Sequence, residues 1–482
     1  MNVAALATPA GEATPGFDPR VFDSAAAPAD PQALKRLRSG LADVSLAAPP
    51  VVLPDFHHKG NMEMPSSIAV ATRDSVWPIL TSASVNCGMA LIALDIEKPA
   101  EAAVTDFYRR VRERLPYPPT YRRDLTADEV VRCAAEGSHF AVDRFGVDPA
   151  ELVRVEHGGR LELEPLGGAE RVRRELPWSV RQLSRIRFGT IGPSNHFIEL
   201  QQVEEVLDPE AAQLLGLREG QITLQFHGGG GSLPGEVGVL YGRRRRYPRA
   251  VRIQMGLQKP LYHLGRARSL EELRLRKALY FSDEYPPVPR HSDEGERLML
   301  ANLAAMNYGF AFRLCAYANL RRMLREAFGS TGSRLVVDSP HNAIYEEQVD
   351  GEAAIVHRHN ACRVNPAQPL AEDPVLRSIG LPLLLPGTNR TSSYVCAPED
   401  NAPSSLNSTC HGAGSMIEDF VARGDSGADP EGRTTLRYGY AGAEPKTVEH
   451  FDDRGVDEAM SILHRHRLAR PVVRLRPFAV LN

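Results

Sequence analysis

The chain has 482 residues, of which 43% are hydrophobic and 24% are charged, enough for one large core or two to three smaller ones. Its formal net charge of -3 excludes a polycation that coats nucleic acid without specificity, but not a local basic patch. No apolar run approaches the roughly 18 residues of a membrane-spanning helix. Six cysteines without regular spacing do not form a disulfide framework, and the N-terminus lacks a convincing signal peptide. We therefore expect a cytoplasmic protein with reduced thiols.

The beginning of the chain differs in composition from the rest. Residues 1–30 are rich in Ala, Pro and Asp and show no hydrophobic periodicity, as is typical of mobile segments. We therefore expect a mobile N-terminal arm over 1–30 and one catalytic domain over 31–482. Within the domain, residues 51–53 and 89–94 are short apolar runs that predict buried strands.

Helical periodicity is clearest in three segments. Residues 100–115 and 127–137 have the amphipathic pattern of helices that pack one face on a core. The longest pattern runs from Glu294 to Phe328, and Gly329 supplies its stop. The polar, glycine-rich stretch 422–445 predicts a long loop.

Two stretches of the chain are rich in arginine. The first carries arginines around Trp178, from Arg171 to Arg187, and the second runs from Arg243 to Arg252. Adjacent arginines repel one another unless they face solvent or anions. A solvated face and a phosphate track both remain open. In the second case the RNA-binding residues are Arg243, Arg244, Arg245 and Arg246.

Cysteine and histidine recur in short turn-like contexts beside Gly, Pro or Asn. Glycine lets a backbone or a bound group come close, and asparagine beside histidine can orient the imidazole. One thiolate and three imidazoles form a credible ligand set for one or two divalent metals, and ligand type alone favours zinc. Taken singly, each such residue is more often structural. The five residues that occur in such turn-like contexts are Cys87, His196, His227, His341 and His411.

Two of these contexts and one further segment also suggest phosphate chemistry. His227 precedes four glycines, which form at most a weak phosphate cradle, because the Lys-Ser/Thr ending of a Walker loop is absent. His411-Gly412-Ala413-Gly414 either presents an imidazole nucleophile or forms a plain turn. The segment 357–360, His-Arg-His-Asn, is a further candidate for phosphate binding.

In order and spacing, these segments resemble the RtcB family of RNA-splicing ligases from about residue 50 to the C-terminus. The most specific element is the run Ser-Thr-Cys-His-Gly-Ala-Gly over 408–414. The other segments that carry the resemblance are Leu53-Pro54-Asp55-Phe56-His57, Asn86-Cys87-Gly88, Asn195-His196-Phe197-Ile198-Glu199, His341-Asn342, Val356-His357-Arg358, Leu385-Pro386-Gly387-Thr388 and Ser393-Tyr394-Val395.

The resemblance implies both a fold and an activity. The implied fold class is α/β, with a single large RtcB-like domain in which a mixed β-sandwich is flanked by helices and holds a central two-metal cleft. The implied activity joins RNA 2′,3′-cyclic-phosphate or 3′-phosphate ends to 5′-hydroxyl ends, with GTP and Mn(II), in tRNA splicing or RNA repair. The implied partners are RNA ends, such as tRNA halves or broken RNA, and the helper protein archease.

The resemblance also implies roles for individual residues. Cys87 would bridge two metals, with His196 on one and both His227 and His341 on the other. His411 would attack the α-phosphate of GTP and become a guanylyl-histidine, while Glu199 would read the guanine edge. The GTP site implied by position comprises Asn195, His196, Phe197, Ile198, Glu199, His341, Asn342, Pro386, Gly387, Thr388, Asn389, Ser393, His411, Gly412, Ala413 and Gly414.

Several positions depart from the family's pattern, and four of them bear on the first metal site and the phosphate contacts. The family usually has Asp three residues before the bridging cysteine, whereas this chain has Ser84, and a neutral hydroxyl is a poorer cation ligand than a carboxylate. Two arginines of the family's loops are replaced by Gly231 and Ser415, and a lysine near the family's C-terminus aligns with Leu481. The first metal site and the phosphate contacts are therefore expected to be weaker here.

Three functions remain open from the sequence. The leading one is a metal- and GTP-dependent RNA ligase that works through His411. The second is a divergent paralogue with altered or lost ligation that acts as a metal-dependent phosphotransferase or phosphohydrolase, suggested by Ser84 and Leu481. The third is an RNA-end binding protein without catalytic activity, which would use the two arginine-rich stretches.

Overall fold

The fold has two main β-sheets, one on top of the other, with helices outside them, and two further sheets of two strands each. It is seen in a computed structural model, which describes residues 18–58, 62–77, 80, 84–117, 123–193, 195–242, 249–282, 286–329, 332–442 and 444–482. The strands in chain order are β1 Arg20–Val21, β2 Val51–Val52, β3 Ile68–Thr72, β4 Ser75–Val76, β5 Gly88–Leu94, β6 Phe197–Val206, β7 Ile222–Gly228, β8 Val288–Pro289, β9 Ser333–Pro340, β10 Asn342–Val349, β11 Glu352–His359, β12 Ala361–Arg363, β13 Leu383–Leu385, β14 Ser393–Pro398, β15 Ser408–Cys410, β16 Thr434–Tyr438, β17 Lys446–Glu449 and β18 Ala469–Leu481.

The helices begin and end largely at residues that cap them. Thr126 and Glu129 form a capping box at the start of one helix, and Gly329, with φ of 86°, follows the longest one. In chain order the α-helices are α1 Pro31–Leu41, α2 Glu101–Arg114, α3 Ala127–Glu136, α4 Ser138–Phe145, α5 Gly168–Glu175, α6 Trp178–Leu183, α7 Pro209–Leu215, α8 Ser232–Tyr241, α9 Arg249–His263, α10 Leu270–Phe281, α11 Asp293–Phe328, α12 Pro374–Ser378, α13 Gly414–Arg423 and α14 Arg454–Arg465.

The larger sheet has nine strands, seven of them in the order β13-β14-β18-β6-β7-β5-β9, with β16 and β17 attached beside β18. The smaller sheet has five strands in the order β1-β2-β3-β11-β10. Both sheets are mixed, since β1 runs parallel to β2 and β16 runs parallel to β18, whereas their other pairings are antiparallel. Four neighbouring strands of the larger sheet, β6-β7-β5-β9, hold the part of the molecule that matters for function.

The alternation of side chains along β5 shows how the layers are stacked. Ala90, Ile92 and Leu94 belong to a core shared with the helices α2, α3 and α11. Leu91 and Ala93 point to the opposite face, into a second core shared with the smaller sheet. The outer face of the smaller sheet is covered by α1. The larger sheet is thus packed between a helical layer and the smaller sheet, which confirms the predicted mixed β-sandwich flanked by helices.

Most predicted elements are confirmed, and one needs correction. The predicted strands correspond to β2 and β5, and the three predicted helices to α2, α3 and α11. The prediction of one long loop over 422–445 was wrong, because residues 434–438 form β16 between β17 and the C-terminal strand β18. Among the described helices, none is both long and apolar enough to cross a membrane. None of the six cysteines is in a disulfide.

The expected arm contacts the domain over part of its length. Residues 1–17 lie outside the described residues. Downstream of them, Arg20–Val21 pairs with β2, and Phe22 is buried in the core between the two sheets. The N-terminal segment from residue 18 onward therefore packs on the smaller sheet.

Candidate active site

Four neighbouring strands bring the predicted metal ligands together at one end of the larger sheet. Cys87 immediately precedes β5, His227 lies near the end of β7, and His341 follows β9, while His196 precedes β6. The register places His227 opposite Met89 of β5 and Phe197 of β6. Because β7, β5 and β9 are adjacent, side chains 87, 227 and 341 meet although they are far apart in sequence.

The distances within this cluster suit a metal centre. The ligand atoms of Cys87, His227 and His341 all lie within 4.8 Å of one another, and all three side chains are buried. The sulfur of Cys87 lies 3.2 Å from Nε2 of His227 and 3.5 Å from Nε2 of His196. The sulfur of Cys87 thus lies close to His196 as well as to the pair His227 and His341. This arrangement can hold one divalent cation and offers two ligands to a second.

The histidines are held in the form that binds metals. Burial lowers the pKa of His227 and His341 well below the usual value, and it lowers that of His196 to about 4. All three imidazoles are therefore neutral at pH 7. The Nδ1–H group of His227 donates to the carbonyl oxygen of Asn195 at 2.7 Å, which leaves its Nε2 facing the cluster.

A buried arginine fixes the turn that carries Cys87. Arg313 of α11 donates to both oxygens of Asp338 at 2.6 to 3.0 Å, and its Nη1 donates to the carbonyl and side-chain oxygens of Asn86 at 2.5 and 2.6 Å. Asn86 adopts a positive φ of 55°. Since an added Cβ at Gly88 would lie 2.6 Å from the carbonyl oxygen of Ser339, only glycine fits there. Sequence reasoning missed Arg313 and Asp338; the one available signal was a charge inside an apolar helical stripe.

His411 lies at the other end of the cluster from His196. The centroids of neighbouring rings are 5.0 Å apart for His196 and His227, 5.2 Å for His227 and His341, and 4.6 Å for His341 and His411. The four imidazoles thus form a row, which we call the histidine row. A nucleophile at 411 would stand next to a cation held at 341.

The loop from His411 into α13 is held from two sides. The backbone N–H of Ala413 donates to the carbonyl oxygen of Pro386 at 3.1 Å. The carboxylate of Asp55, itself buried, accepts the N–H of Met416 in the first turn of α13 at 2.9 Å. The predicted segments around residues 55 and 386 therefore both bond to the segment that follows His411.

The predicted guanine-reading carboxyl lies in a buried polar group between β6 and β14. Glu199 accepts a hydrogen bond from Gln201 at 2.8 Å, and the same amide lies 3.3 Å from the hydroxyl of Ser393. That hydroxyl accepts the N–H of Gly387 at 3.1 Å. Burial raises the pKa of Glu199 to about 8, so the carboxyl is protonated at pH 7.

The other predicted nucleotide residues differ in their exposure and in their contacts. Asn195 is exposed at the mouth of the site, and the ring of Phe197 stands 5.7 Å from that of His227. The side chain of Ile198 packs into the core under the helices, away from Glu199. Asn342 is engaged internally, since its amide donates to the carbonyl of Ser84 at 3.3 Å. The remaining predicted nucleotide residues lie in two segments, one between β13 and β14 and one directly after His411. They are Pro386, Gly387, Thr388, Asn389, Gly412, Ala413 and Gly414.

The structure bears differently on three of the sequence hypotheses. Segment 357–360 is not a phosphate site, because its arginine, Arg358, is buried, pairs with Glu347 and donates to Ser408 at the base of the His411 loop. Leu481 is buried in β18 opposite Ile198, so no cation stands at that position. Arg243 to Arg246, the predicted RNA-binding residues, lie outside the described residues.

Comparison with known proteins places the chain in a family. The tRNA-splicing ligase RtcB family matches residues 41–482. The tRNA-splicing ligase RtcB of Pyrococcus furiosus is 30% identical over 420 residues, 82% of this chain and 39% of that protein. That of Thermococcus kodakarensis is 28% identical over 456 residues, 89% of this chain and 86% of that protein. The RNA-splicing ligase RtcB of Mycobacterium tuberculosis is 31% identical over 361 residues, 72% of this chain and 74% of that protein.

The lengths of these relatives differ. This chain spans between 39% and 44% of the length of the three Pyrococcus relatives. The family match nevertheless covers nearly all of it, including the strands that carry residues 87, 196, 227 and 341. The chain belongs to the RtcB family.

Proposed function

We propose that the protein is an RNA ligase that joins 3′-phosphate or 2′,3′-cyclic-phosphate RNA ends to 5′-hydroxyl ends, with GTP and Mn(II), through a guanylylated His411. The single observation that supports this best is the histidine row, in which His411 stands 4.6 Å, ring to ring, from a buried Cys–His cluster. A nucleophilic imidazole beside a cation site is the arrangement that attack on a nucleotide phosphate requires.

Each residue of the row has a proposed part. Cys87, His227 and His341 would hold one cation, and Cys87 with His196 a second, more weakly held one. A bound cation there would neutralise charge on the nucleotide phosphates. His411 would attack the α-phosphate, forming a nitrogen–phosphorus bond as the α–β bond breaks and pyrophosphate leaves.

The nucleotide would contact the polar group around Glu199 and the loops near His411. Glu199 and Ser393, which lie in one hydrogen-bonded group, would read the guanine edge. The loop Pro386–Asn389 and the glycines after His411 would follow the ribose and phosphates. We further propose that the protein acts in the cytoplasm on tRNA halves or broken RNA, and that archease is a candidate partner.

A second candidate function is favoured by two observations. Ser84 replaces a carboxylate beside Cys87, and Leu481 is buried where the family has lysine. A protein that kept the Cys–His cluster but lost nucleotide transfer would be a metal-dependent phosphotransferase or phosphohydrolase, or an RNA-end binding protein. In each of these cases RNA is processed or bound without a covalent nucleotide adduct.

The decisive experiment is adduct formation. The protein is incubated with α-labelled GTP and Mn(II), or with Zn, Co or Mg in parallel, and the label on the protein is measured. We expect an acid-labile label that His411→Ala abolishes, because a phosphoramidate forms only on that imidazole. His464→Ala, which changes an exposed histidine paired with Glu399, is the matched control and should label normally.

The same experiment separates the alternatives. Absence of label with every metal and all four nucleoside triphosphates would contradict the ligase. RNA-end hydrolysis without label would then support the phosphohydrolase. RNA binding that weakens steeply with salt and survives His411→Ala would support the binding protein.

A further inference from the structure

We propose that Arg187 binds the terminal phosphate of the RNA 3′ end beside the metal centre, supplying from a different part of the chain the cation that its glycine loop lacks. The inference rests on the proposed function, because it states how that site receives its RNA. Its basis is a cavity of about 120 Å³, several times the space that one water molecule needs. The residues that line this cavity include Arg187, Thr190, His196, Gly229 and Ser232.

The guanidinium of Arg187 is supported but not neutralised. It lies over the ring of Tyr117, 5.2 Å from the centroid, and passes Gly192, where an added Cβ would be 3.4 Å from its Nη2. Within the described ranges, no carboxylate or carbonyl group pairs with it. A half-buried cation that is held by a ring and left without an anion is suited to bind one from outside.

The other arginines of this stretch are used differently. Arg171 and Arg173 pair with Glu296 and Asp128, and Arg185 donates to the carbonyl of Leu125 at 3.0 Å. Arg174 is two-thirds exposed beside Glu175. Of these five arginines, Arg187 is the one that lines the cavity beside His196.

The glycine loop cannot carry the cation itself. Gly231 has a φ of 85°, and an added Cβ would lie 2.8 Å from the ring of Phe312 and 2.9 Å from that of Tyr308. A side chain at 231 would therefore be strained and obstructed. The loop instead offers backbone: Gly231 precedes α8, and no side chain caps that helix, so its first N–H groups also favour an anion. The positive charge comes from Arg187 across the cavity.

The position of the cavity indicates which phosphate it receives. It lies at the His196 end of the histidine row, whereas His411 is at the opposite end. A nucleotide whose α-phosphate is attacked by His411 would place that phosphate at the far end. The phosphate at the His196 end is therefore that of the other substrate, the RNA 3′ end.

The test compares binding of two RNAs that differ only at the 3′ end. Fluorescence anisotropy is measured for a short 5′-labelled single strand ending in 3′-phosphate and for the same strand ending in 3′-hydroxyl, with the protein as purified and Mn(II) in the buffer. We expect the wild-type protein to prefer the phosphate end. Arg187→Gln should lose at least about tenfold of that preference, as expected for one charge-assisted hydrogen bond, and should lower the salt slope by about 0.7.

Two further variants make the result specific. Arg174→Gln, the matched control on the same stretch, should keep the preference, and Arg187→Lys should keep part of it, because the charge remains but the two-pronged geometry is lost. Melting temperatures verify that each variant folds. Equal binding of both ends by the wild type, or full preference in Arg187→Gln, overturns the proposal.

The GTP-labelling assay, run on the same variants, separates this proposal from the proposed function. If Arg187→Gln labels normally but loses the end preference, both stand. If the wild type never labels but Arg187→Gln still loses the preference, the RNA-end site stands and the ligase does not. If Arg187→Gln raises the KM for GTP and leaves the end preference intact, the cavity receives the nucleotide and the RNA assignment is wrong.

Discussion

The protonated carboxyl of Glu199 determines how GTP binding should depend on pH. Burial raises the pKa of Glu199 to about 8, and Tyr108, whose own pKa is raised in part by that carboxyl, lies in the same region. Guanine presents two N–H donors on the edge to be read, so an acid that binds both must be ionised. We therefore expect GTP binding to release about one proton at pH 7 and to tighten by up to about tenfold per pH unit as pH approaches 8.

Calorimetry in buffers of different ionisation enthalpy measures that proton. Glu199→Gln should release none and should bind GTP at least tenfold more weakly, because an amide offers one acceptor and one mismatched donor. Without nucleotide, the carboxyl should destabilise the wild type relative to Glu199→Gln as pH rises from about 4.5 to 8, since only the unfolded chain has lost the proton there. GTP affinity that is flat with pH in both proteins would refute this role.

Ser84 should limit the second cation site. Its carbonyl accepts the N–H of Cys87 at 2.9 Å, so residue 84 lies in the turn that carries Cys87. Ser84→Asp adds a carboxylate, which is a far better ligand for Mn(II) than a hydroxyl. We expect elemental analysis to find more Mn(II) bound per chain in Ser84→Asp than in wild type. Ser84→Asn, similar in size but uncharged, should not change the metal content; equal gains in both variants would point to geometry instead of charge.

At the scale of elements, the start of α13 should control whether His411 is usable. The carboxylate of Asp55 accepts the N–H of Met416 in the first turn of that helix. Asp55→Ala should cost about 1 kcal/mol of stability, as the loss of a cap does, and should also reduce guanylylation at least tenfold, because the loop before α13 loses its anchor. Metal content should stay unchanged, since the Cys–His cluster does not include this helix.

The control for this prediction is the loss of a comparable cap elsewhere. The hydroxyl of Thr126 accepts the N–H of Glu129 at the start of α3. Thr126→Ala should lose similar stability and keep full labelling. If Asp55→Ala and Thr126→Ala label equally well, the hydrogen bond from Met416 to Asp55 stabilises the fold without positioning His411.

The elements also show what local sequence can and cannot predict. α11 and β5 were predictable because their periodicity is strong and each is long enough to show it. β16 was not, since the five residues from Thr434 to Tyr438 lie in a glycine-rich context, and their pairing is with β18 near the C-terminus. Strand formation there depends on a distant partner, which no local pattern reveals.

At the scale of the whole molecule, the same limit applies to the site. Cys87, His227, His341 and His411 were predictable as candidates, because a Cys or His beside Gly, Pro or Asn is a local feature of the sequence. That they meet depends on the strand order β7-β5-β9, and linear spacing does not encode that order. The supporting Arg313–Asp338 pair was missed for the same reason, because tertiary packing decides which residues Arg313 and Asp338 contact.

This architecture predicts that a bound cation stabilises the whole domain. The ligands of the Cys–His cluster come from three adjacent strands, β7, β5 and β9, or the turns beside them, so a cation held there would tie these strands of the larger sheet together. A ligand present at 100 times its Kd stabilises the folded state by about 2.7 kcal/mol. Stripping the metal with a chelator should therefore lower the melting temperature by a few degrees, and adding Mn(II) back should restore it. His341→Ala should melt at the same temperature with and without chelator, because it has lost a ligand, whereas His464→Ala should show the full wild-type drop. A wild-type melting temperature that does not change when elemental analysis shows the metal has been removed would mean that the cation does not stabilise the sheet.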